Sequence, residues 1–222
     1  GINTLIRGMQ YGMLDAAVEN LTGHIKIHAP EYRDDPNINK GFPLERDFTP
    51  PVDPTEVLGW AARIRIPAVI MSERETRGVQ IVGIDPTREH ISFLGEVAID
   101  GESLTDSTDG RVLIGKELAD QLATQVGRRI VIITQGIDGK NREKGYRIVG
   151  TYDAEGTGLE KTYVFTGLSS LQGLLDSTDV TEVSIRLHSE PTMLSIKDLL
   201  MGAFRELTVL DWRELEPQAA AM

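Results

Sequence analysis

The segment formed by residues 110–150 constrains the fold more than any other part of the chain. A turn signal at residues 108–110 precedes a short apolar run, which predicts a β-strand over residues 111–114. Apolar residues then recur at helical spacing, which predicts an amphipathic helix. They are Leu118, Ala119, Leu122, Ala123 and Val126. Gly127 stands where this helix needs a left-handed C-cap, because glycine adopts positive φ without steric cost.

The second half of the same segment predicts a β-hairpin. Residues 130–133 are apolar on both faces, as in a strand that is covered on two sides. Residues 136–145 are polar and rich in glycine, and residues 146–149 are expected to pair back onto the first strand. The whole segment therefore predicts strand, helix, strand, hairpin and strand in that order.

Outside this segment, strands alternate with helices at both ends of the chain, and the middle holds more strands. The other predicted helices cover residues 4–21, residues 53–63 behind the capping signal Asp53-Pro54, a segment after Thr166 and a segment that opens at Pro191. The other predicted strands cover residues 24–28, 64–71, 79–84, 161–166, 180–187 and 207–212. Residues 30–53 predict an exposed excursion with little regular structure.

This distribution predicts an α+β fold with two lobes. The first would be a mixed α/β lobe made of residues 1–84 together with residues 180–222. The second would be a strand-rich lobe of residues 85–179, inserted between the two parts of the first.

Five stretches together resemble one known family. They are GRVLIGKELADQL and IVGTY in the segment described first, GMQYGMLDAAVENLTGHIKIH near the start, GVQIVGIDPTRE in the middle, and LTVLDWRELEP near the end. In the order in which they occur along the chain, they resemble the MacB-like periplasmic core domain of ABC-transporter permeases, in the FtsX-like and lipoprotein-releasing superfamily. The resemblance covers nearly the whole chain and implies the same two lobes, which that family calls Porter and Sabre.

The resemblance implies a function in transport. Such a domain is a non-catalytic, periplasmic part of an inner-membrane permease, and it transmits motion driven by a cytoplasmic ATPase to the release or export of a substrate. The implied partners are that ATPase subunit, a second permease subunit, and a periplasmic carrier or adaptor. The resemblance also leads us to expect one membrane-spanning segment before residue 1 and three after residue 222.

The tip of the predicted hairpin is the polar segment most suited to contact a partner. Lys140, Arg142 and Lys144 form a basic cluster on an otherwise acidic chain. The predicted contact residues are Ile137, Asp138, Lys140, Asn141, Arg142 and Lys144. In the lipoprotein-releasing members the matching hairpin is longer and captures a carrier, whereas here it is short and lacks the proline-containing extension. A plain solvated hairpin is the alternative.

Composition excludes several classes of partner. The formal net charge is −11, which argues against binding to nucleic acid or to an anionic membrane surface, since both need a basic face. The chain has no cysteine, so it can form neither a disulfide nor a thiolate site. No apolar run approaches the roughly 18 residues that span a bilayer.

The remaining chemical motifs predict no catalytic, cofactor or metal site. Gly110 to Lys116 fits the first places of a phosphate-binding loop, but Glu117 replaces the hydroxyl that should hold Mg²⁺. His24 and His28 would lie roughly 13 Å apart on one face of a strand, too far to share a zinc ion, and predict a solvated edge. The acidic stretch at residues 100–109 does not fit the spacing of an EF-hand.

Two other functions remain open at this point. A soluble α/β enzyme or ligand-binding protein could use His24, His28 and nearby acidic residues. Regulation of a periplasmic cell-wall hydrolase, which another branch of the superfamily performs, is a special case of the transport-like reading.

Overall fold

The computed structural model describes residues 21–154 and 157–217. The β-strands in chain order are β1 (Ile25–His28), β2 (Val57–Met71), β3 (Thr76–Ile84), β4 (Ala98–Gly101), β5 (Val112–Gly115), β6 (Arg129–Gln135), β7 (Asn141–Asp153), β8 (Tyr163–Gly167), β9 (Glu182–Leu187) and β10 (Thr208–Asp211). The α-helices are α1 (Lys116–Gln121), α2 (Leu159–Thr162), α3 (Leu168–Leu175), α4 (Met193–Ala203) and α5 (Trp212–Leu215). Short 3₁₀ turns cover Ile38–Lys40, Pro54–Glu56, Pro86–Ile91, Phe93–Gly95 and Glu190–Thr192. This mixture confirms the predicted α+β class.

The 15-residue strand β2 belongs to two parts of the sheet. Its first half pairs with β9, which continues through β1 to the edge strand β10, and all three of these contacts are antiparallel. Its second half pairs with β3 on one side and with β6 on the other. One continuous strand therefore joins a four-stranded half-sheet to the rest of the molecule.

The second half of β2 closes a six-stranded ring. The pairs β2–β3, β3–β8, β8–β5, β5–β7, β7–β6 and β6–β2 are all hydrogen-bonded, and β4 adds to the outside of this ring along β7. We call this ring the barrel. Because strand side chains alternate between faces, every second residue of each strand points into the barrel.

The barrel interior is a mainly aliphatic core. On β2 the inward residues are Ile64, Ile66, Ala68 and Ile70, and on β6 they are Ile130 and Ile132. Leu118 and Leu122, in and just after α1, close one end of this core beside the β2–β3 turn. Leu171 and Leu175 from α3 close the other end, where the β6–β7 hairpin turns.

The half-sheet is covered by α4. Met193, Ile196 and Leu200 point from this helix onto Ile25, Ile27 and the apolar residues of β9. The spacing i, i+3, i+7 puts these three side chains on one helical face. Leu194 and Leu199, which the sequence pattern also places inward, are exposed. Pro191 lies in the 3₁₀ turn immediately before the helix.

The helix predicted for residues 53–63 is wrong. Asp53 does cap a turn, since its side chain accepts from the Thr55 amide, but only Pro54–Glu56 is helical and β2 begins at Val57. The register with β9 satisfies the backbone of residues 57–63, and burial of Ala61 and Ala62 in the sheet outweighs their helix propensity.

Two local predictions also need correction. Helix α1 ends at Gln121 and Ala123 takes the left-handed conformation (φ 52°), so Gly127 (φ 91°) is not its cap. Gly127 instead turns the chain into β6, where its amide donates to Ile148 O (2.9 Å). Residues 30–53 contain little regular structure, as predicted, but Tyr32, Ile38 and Phe42 within them are buried. The predicted helix over residues 4–21 lies outside the described residues except for Leu21.

The boundaries of the two predicted lobes, residues 1–84 with 180–222 and residues 85–179, stay a prediction. The half-sheet and the barrel share β2, and β3 pairs only within the barrel.

Candidate functional site

The points where the described chain enters and leaves the half-sheet lie side by side. Near the entry, Ser184 Oγ donates to Thr22 O (3.1 Å) and the His24 amide donates to Ile185 O (2.9 Å). At the exit, the Trp212 amide donates to His24 O (2.9 Å). Thr22 Oγ1 also donates to Glu216 Oε1 (3.3 Å), which links the two connections directly.

The exit is fixed by polar contacts as well. Asp211 and Glu214 form a capping box that starts α5. Lys197 of α4 pairs with both carboxylates, at 3.3 Å from Asp211 Oδ2. The Trp212 indole donates to Glu190 Oε1 (2.8 Å), so α5 is bound both to α4 and to the turn that precedes α4.

Beneath the entry point lies a group of five charged residues that we call the buried charge cluster. Its members are Lys26 on β1, Arg63 and Arg65 on β2, Glu89 in the Pro86–Ile91 turn, and Glu182 on β9. Arg63 and Glu182 have no exposed surface. The cluster therefore joins three strands of the half-sheet to a turn that packs beside the barrel.

Arg63 is the centre of this cluster. Its Nε and Nη2 atoms donate to the two oxygens of Glu89, at 2.8 and 3.0 Å, in a bidentate arrangement. Its Nη1 donates to Glu182 Oε2 (2.9 Å) and to Leu21 O (2.8 Å). One guanidinium therefore ties the entering backbone to two separate elements.

The charges around Glu182 hold it ionised. Burial by itself would raise the pKa of Glu182, but Arg65 at 2.9 Å, Lys26 at 3.5 Å and Arg63 lower it to about 2. Lys26 behaves in the opposite way, because burial and the neighbouring Arg65 lower its pKa to about 7. The two arginines are therefore the constant cations of the cluster, and Lys26 is the member that titrates near neutral pH.

The hairpin residues predicted to meet a partner do not all project into solvent. The turn covers residues 136–140 between β6 and β7, and it is closed by the Gly136 amide on Lys140 O (2.9 Å). Ile137 packs against the barrel core, and its amide donates to Leu175 O (3.0 Å) at the end of α3. The tip is thus anchored to the helix that closes the barrel.

The charges of the tip are partly used within the hairpin. Arg142 pairs with Asp138 (2.9 Å), and the ammonium of Lys144 lies 4.8 Å from the centre of the Tyr146 ring. Lys140 and Asn141 are exposed. A cleft of about 600 Å³ lies beside the contact between the tip and α3, with Ile137, Gln172 and Asp176 in its lining. Contact of these six residues with a partner stays a prediction.

The loop that resembles a phosphate-binding motif forms a strand and a helix start. Residues 112–115 form β5, and the amide of Glu117 donates to Glu160 Oε2 (3.2 Å). A carboxylate therefore already occupies the place at which a phosphate would meet the helix amides. A Cβ atom on Gly115 would come within 2.1 Å of Glu160 O, so the backbones touch here.

His24, just before β1, and His28, its last residue, do not form the predicted solvated edge. The strand lies between β9 and β10, and His24 and His28 are buried. His24 Nδ1 accepts from the Leu187 amide (2.9 Å), and His28 Nδ1 lies 2.8 Å from Ala29 O. Position in the sheet, which depends on pairing with distant strands, overrides the polar alternation of the sequence.

Acidic residues of the 100–109 stretch contact neighbouring side chains. Asp109 pairs with Arg111 (2.9 Å), and hydrogen bonds from Arg111 lower the pKa of Asp109 far below its usual range. Asp106 accepts from the Thr108 amide (2.8 Å). Among the described residues, no group of three or more histidine, aspartate or glutamate side chains is placed to hold a metal ion.

The buried charge cluster is the feature that sequence reasoning missed. A signal was present, because charged residues of both signs interrupt the apolar strands of the half-sheet at Lys26, Arg63 and Glu182. A charge in such a strand must be paired if the strand is central in a sheet. The sequence did not show which acidic side chain would pair with which basic side chain.

Comparisons with known proteins agree with this geometry. A family model described as the MacB-like periplasmic core domain matches residues 1–200. The fold is similar to the periplasmic region of MacB from Actinobacillus actinomycetemcomitans, with a TM-score of 0.61 and 9% identity over 95% of this chain and 99% of that one. It is also similar to the extracellular domain of the noncanonic ABC-type transporter YknZ from Gram-positive bacteria, with a TM-score of 0.57 and 17% identity over 85% and 99% of the two chains.

The search of curated proteins found no match. Within the described residues, no helix has the length and the apolar character needed to cross a bilayer.

Proposed function

This chain belongs to the family of MacB-like periplasmic core domains of ABC-transporter permeases, and we propose that it couples cytoplasmic ATP hydrolysis to substrate release or export. On this proposal the domain lies outside the cytoplasmic membrane and performs no chemistry. Its partners are the ATPase subunit, reached through the membrane part, a second permease subunit, and a periplasmic carrier or adaptor. The proposed activity resembles that of the lipoprotein-releasing members, with lipoprotein, lipid, peptide and drug as the candidate substrate classes.

The observation that carries this proposal is the set of hydrogen bonds that ties the entering and leaving segments, at residues 21–22 and 216, to each other and to the sheet. Thr22 and Glu216 are bonded to each other, and Leu21 O is bonded to Arg63 in the middle of β2. A displacement of the entering segment is therefore passed to β2, and β2 continues into the barrel. Buried, charge-assisted contacts suit this role, because breaking one leaves an unpaired charge and is costly.

Uncoupling by Arg63→Met tests the proposed transmission. The full permease would be reconstituted with its ATPase in proteoliposomes, and ATP hydrolysis and release of a lipoprotein substrate would be measured together. We expect hydrolysis to continue while release falls severalfold, because Leu21 is no longer fastened to β2. Lys40→Met, which breaks the surface pair with Glu31, is the matched control and should change neither activity. Normal release by a folded Arg63→Met permease would refute the coupling.

A reversible crosslink across the two connections tests whether they move as one unit. Thr22→Cys with Glu216→Cys should be bridged by a short bifunctional methanethiosulfonate reagent, since the Thr22 hydroxyl reaches the end of the longer Glu216 side chain. Release should survive this crosslink if both connections move together. Loss of release on crosslinking, restored by a reductant, would show that the connections must separate, contrary to the proposal.

A further inference from the structure

The outer wall of the barrel carries an uncovered aliphatic surface. Val69 is paired with Ile133, and Met71 is paired with Val131, in the register between β2 and β6. Their neighbours in sequence point inward to the core, so these four side chains point outward together. We call these four residues the wall patch. Val69 is 38% exposed and the other three are half-buried.

Nothing in the described part of the chain covers the wall patch. Gly78 is paired with Val69 on one side, and Gly145 is paired with Val131 on the other. A Cβ atom added to either glycine would meet no atom within 4 Å. The patch is therefore flanked by two open positions that let a flat partner approach the backbone.

A group of arginines borders the wall patch at the end of the barrel closed by α1. Arg129 on β6 lies directly opposite Arg147 on β7, and both are exposed on the same outer face as the patch. Arg74 and Arg128 line, with Arg129, an open cleft of about 560 Å³ between the β2–β3 turn and the loop before β6. We call these four arginines the arginine rim.

No ion pair within the described chain accounts for the arginine rim. Within residues 21–154 and 157–217, none of its members forms an ion pair, although the chain carries a net charge of −11. Directly opposed like charges in a sheet are destabilising, so the pair formed by Arg129 and Arg147 works against folding. Guanidinium groups at the edge of an apolar patch are a usual composition for a protein interface.

We propose that the wall patch and the arginine rim dock an acidic, partly apolar segment of a second protein. Charge complementarity selects the partner: carboxylates would neutralise the rim, and aliphatic side chains would cover the patch. An anionic membrane is disfavoured, because the remaining surface of the chain is acidic and would be repelled. The inference rests on the proposed function only for its extracytoplasmic setting.

The location fits a partner that approaches away from the point where Leu21 meets the sheet. Met71, the last residue of β2, follows Arg63 by eight residues. At about 3.3 Å per residue this is roughly 26 Å. The entering segment therefore contacts the middle of β2 and the proposed docking surface lies at its C-terminal end, so β2 connects the two.

Binding of a defined peptide to the purified 222-residue chain tests the docking surface. The probe is a short fluorescent peptide of alternating glutamate and leucine, and its analogue has glutamine in place of glutamate. Anisotropy should show binding of the acidic peptide only, weakening as salt is raised. Arg129→Glu with Arg147→Glu should weaken binding by about tenfold or more, as expected for loss of charge-assisted contacts. Val69→Ser should weaken it less.

The control variant has the same change in charge at another place. Arg33→Glu with Arg46→Glu alters two exposed arginines away from the barrel wall and should leave binding unchanged. Equal weakening by both double variants would overturn the site, as would equal binding of the glutamine peptide or no binding at all. Three other results would also overturn the proposal, because each assigns another ligand to the arginine rim. They are binding of inorganic phosphate alone, binding only to phosphatidylglycerol vesicles, and self-association of the chain through the same arginines. None of these results depends on transport.

Discussion

Replacing Arg63 by methionine is the most discriminating perturbation of this fold. The side chain has no exposed surface and makes four hydrogen bonds: two to Glu89, one to Glu182 and one to Leu21 O. Methionine has a similar length and fills most of the space without the charge. The variant therefore measures the electrostatic contribution more than the loss of packing.

The size of the stability loss depends on which cations and hydrogen-bond donors Glu182 and Glu89 keep after the substitution. Glu182 keeps Arg65 and Lys26 as neighbours, so its charge stays compensated. Glu89 keeps only the hydroxyl of Ser92, at 2.7 Å, and is left as a buried charge with no cation. Breaking a buried pair in this way costs about 3–5 kcal/mol. That is a large part of the roughly 5–15 kcal/mol that stabilises a typical domain.

Urea unfolding followed by far-ultraviolet circular dichroism measures this loss, with an unchanged slope as evidence that the folded state is the same. Adding Glu89→Gln removes the orphaned charge, and we expect the double variant to recover about 2 kcal/mol. Lys40→Met is the control. Its 2.6 Å pair with Glu31 is shorter than any ion pair in the buried charge cluster but lies at the surface, so we expect no measurable change.

A loss below about 1 kcal/mol for Arg63→Met would contradict this reasoning. So would a double variant that is no more stable than the single one. Either result would mean that water enters the buried charge cluster and that burial does not set the energy of these contacts.

Three further predictions concern pH, the barrel wall and the backbone. The pKa of Lys26 is lowered to about 7 in the folded chain, so above that pH the unfolded chain binds more protons than the folded one. The free energy of unfolding should therefore rise from pH 7 towards pH 9.5. Urea titrations at several pH values should show this rise, and Lys26→Met should flatten it. Arg147→Glu turns the repulsive pair with Arg129 into an attractive one, so it should raise the free energy of unfolding by about 0.2–1 kcal/mol and weaken binding of the acidic peptide. A lower melting temperature than that of the unchanged chain would contradict the cross-strand geometry. Gly115→Ala should lower the free energy of unfolding by about 1–3 kcal/mol, because the added Cβ would meet the Glu160 backbone. Gly173→Ala lies inside α3 with open space around it and should raise the free energy of unfolding by about 0.5–1 kcal/mol. Equal urea midpoints for the two variants would refute the close approach of the Gly115 and Glu160 backbones.

Local patterns in the sequence were sufficient wherever short-range chemistry decides the structure. The segment of residues 110–150 folds as strand, helix, strand and hairpin because its apolar spacing and turn residues act within a few positions. Helix α4 follows Pro191 for the same reason. The family resemblance, carried by ordered motifs along the chain, is confirmed by the match over residues 1–200.

Local patterns failed where a distant strand decides. Residues 57–63 follow a helix-start signal at Asp53-Pro54, but their backbone pairs with β9, more than a hundred residues later in the chain. His24 and His28 alternate with apolar residues like an exposed edge, yet β1 lies between two strands from the C-terminal part. Which strands become neighbours is settled by the closure of the whole sheet, and single-segment periodicity contains no information about it.

The sequence by itself determined the family, the α+β class and the position of the hairpin. Only the tertiary structure decided that β2 runs from the half-sheet into a closed barrel, and that Arg63 meets Glu89, Glu182 and Leu21 beneath the entering chain. It also placed Arg129 beside Arg147 at the edge of an aliphatic wall. The physical reason is common to all three: a charge shows its type in the sequence, but its energy depends on burial and on the partner that folding brings within 3 Å or so.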